Sequence, residues 1–295
     1  MHPDWLNPVE YPFKSHYFES GGQKIHYLEE GSGETLVMLH GSATWSYLFR
    51  DVIKDLMDSY RCLVPDLPGF GLSSKEEDGR FTLPGQLEVL SDWVGEFGSE
   101  KLSFLGHGMG GLLALAYALR YPEKIHRLIL CSSWAWPIGE SKAVRSYRRR
   151  WAGFWGPWVH RRTNVFPWIW IRQGFAKTKP PTNEQLIPYL APYANDADRR
   201  GLKQAAYNLW EGDSFAQRVF GHGADIQDLP VLVVMGQQDR LIASEAGKKW
   251  LSFLPQSEIE IIPRVGHYIP EEAGEQLVAL TRRFLAPLSN PSTET

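Results

Sequence analysis

The segment KLSFLGHGMGGLLALAYALRYPEKIHRLILCSSW, residues 101–134, limits what this chain can fold into more than any other stretch. An apolar run, a glycine-rich turn, a run of strong helix formers free of β-branched residues and a second apolar run read as strand, sharp turn, helix, strand. Gly106, Gly110 and Gly111 frame the turn, where they permit a tight bend and close packing of helix on strand. The layout is that of the nucleophile elbow G-x-S-x-G, which lifts one reactive side chain above the end of a parallel sheet. The reactive position here is Gly108, which has no side chain and cannot attack carbon.

The remainder of the chain supplies the sheet that such a turn requires. HYFES (16–20) and KIHYLEE (24–30) read as an antiparallel hairpin, and TLVMLH, RCLVPD, KLSFLG, HRLILCSS, PVLVVMG and SEIEII read as strands buried on both faces of a parallel sheet. Helices are expected at 46–58, 84–97, 109–120, 244–253 and 272–286. The expected class is α/β, a mostly parallel eight-stranded sheet flanked by helices. Residues 134–220 break the alternation with helical, aromatic, arginine-rich sequence, so 1–133 and 221–295 are expected to form the core and 134–220 a helical cap. The tail APLSNPSTET is expected to fray.

Composition narrows the function classes. At 295 residues with a net charge of -3, the chain shows no global attraction to nucleic acid. Its two cysteines, Cys62 and Cys131, fall in separate apolar strands, which argues against a disulfide scaffold and for a reducing compartment. The N-terminus lacks an apolar leader core, and no stretch approaches the roughly 20 apolar residues of a membrane span, so a cytoplasmic location is expected. PDLPGFGLS (65–73) is a glycine and proline loop without the G-x-x-x-x-G-K-[ST] phosphate cradle, and no Cys/His cluster has metal spacing. Neither a metal nor an organic cofactor is expected.

An acid and a base stand at the ends of the last two long strands. Asp239 follows PVLVVMG and His267 lies in the loop after SEIEII, so in an open parallel sheet both face the crevice beyond the carboxyl ends, on the side of the elbow. A carboxylate beside histidine fixes the imidazole tautomer and stabilises the imidazolium formed when histidine takes a proton. The order elbow, Asp, His is that of the catalytic triad in α/β-hydrolases. Backbone N–H groups of Ser42, in the turn LHGSATWSYLFR, and of Met109, after the elbow, form the expected oxyanion pair.

With these residues in view, the chain resembles the α/β-hydrolase superfamily over nearly its whole length. YPFKSHYFES, HYLEEGSGE, LHGSATWSYLFR, PDLPGFGLSSK and SSWAWP are similar to the haloalkane dehalogenase and β-lactone decarboxylase branch. That branch carries an aspartate at the elbow, in GHDWGG, and its dehalogenases hold the halide with an Asn after HG and the Trp after the nucleophile. This chain has Gly108, Ser42 and Met109 at those places, so the resemblance does not extend to halide displacement.

Two histories account for Gly108. In one, the parent carried GHSMGG and hydrolysed an apolar ester, lactone or thioester, with Gly108 a single engineered replacement that disables covalent catalysis. In the other, the natural protein uses His267 and Asp239 as a general base without a covalent intermediate, for cyclisation, elimination, C–C cleavage or direct attack by water. A ligand-binding protein without catalysis is the third reading. The substrate is expected to be small and apolar or amphipathic. Eight of the twelve tryptophans lie in 134–220, and Trp45, Trp134 and Trp136 are the expected pocket residues. The stretch SKAVRSYRRRWAGFWGPWVHRR has seven basic residues and no acidic one; it reads first as a solvated face, and otherwise as an attraction for an anionic substrate, a carrier protein or a membrane surface.

Overall fold

The computed structural model describes residues 3–75, 80–98, 101–151, 156–242 and 246–286. Its strands are β1 (Ser15–Ser20), β2 (Gln23–Glu30), β3 (Glu34–Leu39), β4 (Tyr60–Pro65), β5 (Leu102–His107), β6 (Ile125–Cys131), β7 (Val231–Gly236) and β8 (Glu258–Ile262). They form one eight-stranded sheet in the order β1-β2-β4-β3-β5-β6-β7-β8. β1 pairs antiparallel with β2 and β2 with β4, while every pair from β4 onward is parallel. Every residue of β5 and β7 is buried, which is why those strands are continuous apolar runs without alternation.

The helices of the sheet layers are α1 (Arg50–Leu56), α2 (Leu83–Gly95) and α3 (Met109–Arg120). Between β6 and β7 come α4 (Lys142–Trp151), α5 (Gly156–Arg162), α6 (Val165–Gly174), α7 (Asn183–Leu190), α8 (Arg200–Glu211) and α9 (Asp213–Gly221). α10 (Ala246–Phe253), α11 (Ile269–Glu272) and α12 (Gly274–Leu285) complete the set. α3 matches its expected span at both ends. The helix expected at 46–58 instead opens with a 3-10 turn, Ser46–Phe49, and the one expected at 272–286 is split, because Ala273 leaves helical geometry between α11 and α12. Among the described residues the segment between β6 and β7 contains helices and no strand. Phe154, Trp155 and the tail from 287 lie outside the described residues.

The sheet is braced by a buried polar knot beside β2 and β4. Asp66 Oδ1 accepts the Ser46 N–H at 2.7 Å, and Oδ2 accepts the Leu72 N–H at 2.8 Å and lies 2.9 Å from His26 Nδ1. One carboxylate thus fixes the turn after β3, the glycine-proline loop after β4 and the hairpin strand β2. Cys62 and Cys131 are both buried and free, as separate strands require. Among the described residues, no helix is long and apolar enough to cross a membrane, and no group of three or more His, Cys, Asp and Glu side chains is placed to hold a metal ion.

Candidate active site

The turn between β5 and α3 is shaped by steric necessity. A Cβ on Gly106 would come within 2.5 Å of Gly111 Cα, so the helix can start this close to the strand only with glycine at that contact. Gly108 then adopts φ 54° and ψ -119°, a backbone region that side-chain-bearing residues enter only under strain. The turn is held on both sides without any help from residue 108's side chain. The Gly108 N–H donates to Cys131 O at 3.0 Å, and Ser133 Oγ donates to Gly108 O at 2.8 Å.

The loops after β7 and β8 bring Asp239 and His267 to the same end of the sheet. His267 Nδ1 lies 2.9 Å from Asp239 Oδ2, with both side chains almost fully buried. Asp239 Oδ1 accepts the N–H groups of Leu241 at 2.8 Å and Ile242 at 3.1 Å. A carboxylate so occupied presents only an acceptor to His267, so Nδ1 carries the proton and Nε2 is left as a lone-pair base. That nitrogen faces the elbow: a Cβ built on Gly108 would sit 3.4 Å from His267 Nε2 and 3.6 Å from Gly41 Cα, at ordinary contact distance.

Further contacts fix the loop that carries the histidine. The His267 N–H donates to Gly174 O at 2.7 Å, and Glu272 accepts the N–H groups of Gly266 at 3.1 Å and Ala176 at 2.9 Å. The loop of the base is thereby tied to the end of α6. Below it, His107 packs its ring 4.8 Å from that of His267 and donates from Nε2 to His267 O at 3.0 Å. Burial, reinforced by the neighbouring His267, pushes the His107 imidazole well below the usual histidine range, so it is a neutral support. Neither Glu272 nor His107 was singled out from the sequence, although Glu272 stands five residues after His267 in a helix-start pattern, IPEE.

A cavity of about 20 Å³ adjoins these groups, and Ser42, Met109 and His267 are part of its lining. That is space for roughly one water centre. The rest of its lining comes from Trp134 and Ile138 after β6, from Val144, Trp170 and Leu209 on α4, α6 and α8, and from Leu241 and Ile242 after β7. Among the described residues, the N–H groups of Ser42 and Met109 donate to no carbonyl of a turn, loop or cap. Ser42 Oγ points to Met109 Sδ at 3.6 Å, a weak contact.

The three expected pocket tryptophans separate. Trp134 lines the cavity over His267, whereas Trp136 lines a second cavity beside it. Trp45 lines neither: it is fully buried, donates its indole N–H to Pro188 O at 2.9 Å and packs against Tyr11 and Tyr47. A buried indole needs a partner for its N–H, and this one finds it in a residue far along the chain.

A sequence model of the α/β hydrolase fold matches residues 34–273, most of the chain. The chain belongs to that family. This α/β hydrolase is 28% identical to a cis-3-alkyl-4-alkyloxetan-2-one decarboxylase from Shewanella oneidensis, over 96% of its own length and 92% of the relative's. It is 27% identical to haloalkane dehalogenase 2 of Mycobacterium tuberculosis, over 94% and 97% of the two chains. Its fold superposes on the crystal structure of a haloalkane dehalogenase from Agrobacterium tumefaciens C58 with a TM-score of 0.82 at 23% identity, covering 92% and 95% of the chains.

Proposed function

We propose that this α/β hydrolase is an enzyme in which His267, oriented by Asp239, acts as a general base on a small apolar or amphipathic carbonyl compound, with no covalent intermediate at residue 108. The observation that carries the reading is the pairing of an intact acid and base with a glycine directly in front of the base: Nε2 is 3.4 Å from where a side chain at Gly108 would begin. The N–H groups of Ser42 and Met109 supply oxyanion donors, and they do not depend on a side chain at 108. Proton-transfer chemistry such as elimination, cyclisation or retro-aldol cleavage suits this set, because it never required an acyl-enzyme. Hydrolysis by direct attack of water is slower, since losing a nucleophile leaves only about 10³–10⁴ over the reaction in water. Without an elbow carboxylate, and with Ser42 and Met109 in place of halide-binding groups, the site does not serve haloalkane displacement.

The relatives named above support a small ring or chain bearing alkyl groups as substrate, because one of them acts on a dialkyl oxetan-2-one by its name. A second reading, that the chain is the nucleophile-less form of a serine hydrolase, is favoured by one observation: a Cβ at Gly108 meets no atom closer than 3.4 Å. The two are separated by a paired assay. A base-catalysed elimination probe, 5-nitrobenzisoxazole, and p-nitrophenyl butyrate are offered to the protein and to Gly108→Ser. The first reading expects His267-dependent turnover of the elimination probe by the unaltered protein. A large gain on the ester with Gly108→Ser, with no elimination activity before it, replaces the first reading by the second.

A further inference from the structure

The cavity over His267 is too small for any organic substrate to enter whole, so a substrate must extend out of it. An adjoining cavity offers room for the rest of the molecule. Ile138, Leu241 and Ile242 line both the 20 Å³ cavity and a second cavity of about 310 Å³. That volume falls within the range of true ligand pockets. Its remaining walls include Trp136, Pro137 and Ala246, so the interior is largely apolar.

One cation stands at this second cavity. Lys249, exposed on α10, lies with its ammonium 5.2 Å from the Trp136 ring centroid, within cation–π range. Among the described residues no carboxylate comes within ion-pair distance of it. Glu140, the acid that also borders the cavity, faces Arg145 at 3.9 Å and Arg148 at 3.8 Å. Among the described residues Lys249 thus has no ion-pair partner beside an apolar lining, while Glu140 faces Arg145 and Arg148. An apolar chain with an anionic end complements this arrangement.

The junction is also coupled to the base. Leu241 and Ile242, two of the three residues shared by the two cavities, donate their N–H groups to Oδ1 of the Asp239 carboxylate whose Oδ2 orients His267. A chain threaded past them packs against residues already fixed by the catalytic acid, which preorganises the reacting end.

We propose that the second cavity binds the tail of an elongated amphipathic substrate, with a carboxylate at Lys249, the apolar chain along Trp136 and Ile138, and the reacting carbonyl beside His267. This rests on the reading of His267 as the base, since it assigns the tail of that same substrate. The test is calorimetric titration of the full chain with decanoate and with 1-decanol, at low and at moderate salt. Decanoate is expected to bind more tightly than the alcohol, and Lys249→Gln to weaken decanoate by about fivefold, Lys249→Glu by about tenfold or more, with decanol unchanged. Lys249→Arg keeps the charge and retains decanoate affinity, and Ile138→Trp, which narrows the junction, lowers the affinity for both ligands. Raising the salt weakens decanoate selectively. Equal affinity of Lys249→Gln and the unaltered protein for decanoate overturns the proposal, as does absence of binding by both ligands. Charge-dependent binding of decanoate together with His267-independent elimination would overturn the general-base reading and leave this site standing.

Discussion

His267 Nδ1 and Asp239 Oδ2 are 2.9 Å apart, and the other oxygen of that carboxylate is occupied by two backbone N–H groups, so the acid cannot rotate without breaking three contacts. Asp239→Asn keeps the shape and reverses the polarity toward Nδ1 whenever its amide nitrogen faces the ring. The imidazole then carries its proton on Nε2, where a base is needed. The expected result is a fall in kcat of about 10²–10⁴ on the elimination probe, with KM little changed, and a similar fall for His267→Ala. Steady-state kinetics with unaltered kcat in either variant would falsify the assignment of the base.

Gly108 carries a second, structural consequence. At φ 54° and ψ -119° any side chain is strained, so Gly108→Ala is expected to cost about 1–3 kcal/mol, seen by calorimetry as a Tm lower by several degrees. Gly108→Ser adds an Oγ within reach of His267 Nε2, and its hydrogen bond returns about 1 kcal/mol relative to Ala. A Ser variant no more stable than the Ala variant would show that Oγ and Nε2 do not meet.

Much of this site was legible in the sequence because its parts sit where backbone geometry leaves little choice. α3 begins and ends at the expected residues because Gly108 starts it at the turn, the stretch from Leu112 to Arg120 is rich in helix formers, and Tyr121 leaves helical geometry. Asp239 and His267 converge because parallel strands all deliver their following loops to one edge. Trp45 was misplaced for the opposite reason. Its partner, Pro188 O, lies 143 residues away on α7, and no local pattern encodes that pairing. The narrowness of the cavity was equally hidden, since Val144, Trp170 and Leu209 reach it from three separate helices. In the sequence Trp170 is one of eight tryptophans in 134–220, and Leu241 and Ile242 follow Asp239 without a pattern that marks them as pocket residues.

Asp66 is a buried stability determinant that lies outside the site. Burial alone would raise its carboxyl, but the charge and hydrogen bond of His26, the charge of His40 and the Leu72 N–H outweigh burial and hold it below the usual carboxylate range. Asp66→Ala orphans the Ser46 and Leu72 N–H groups and His26, all buried or nearly so, at an expected cost of about 3–5 kcal/mol in urea unfolding. A carboxyl depressed in the folded state contributes fully above its unfolded value, near pH 4, and the contribution is lost as pH falls through the folded value. The gap between the unaltered protein and Asp66→Asn should therefore be widest at neutral pH and shrink below about pH 4. A gap independent of pH from 7 to 3 contradicts the assignment.

His160 gives the helices between β6 and β7 a pH dependence of their own. Its ring is buried between Trp151, 5.2 Å away, and Phe166, 4.8 Å away. Burial, and then the positive charge of Lys203, lower its pKa to about 4. An unfolded histidine titrates near 6.5, so between these values the unfolded chain binds the extra proton and the folded one does not. The sign follows directly: the contribution is complete above about pH 6.5 and is lost as pH falls toward 4, by up to about 3 kcal/mol across the window. Because α4, α6 and α8 contribute Val144, Trp170 and Leu209 to the cavity that His267 also lines, acidification should loosen the cavity before it unfolds the sheet. His160→Phe removes the titrating group and keeps an aromatic ring against Trp151 and Phe166. Protection of α4–α6 amides against hydrogen exchange should drop between pH 7 and pH 5 in the unaltered protein and hold in the Phe variant, with β5 and β7 unaffected in both. Identical loss of protection in the two proteins would place the acid sensitivity elsewhere.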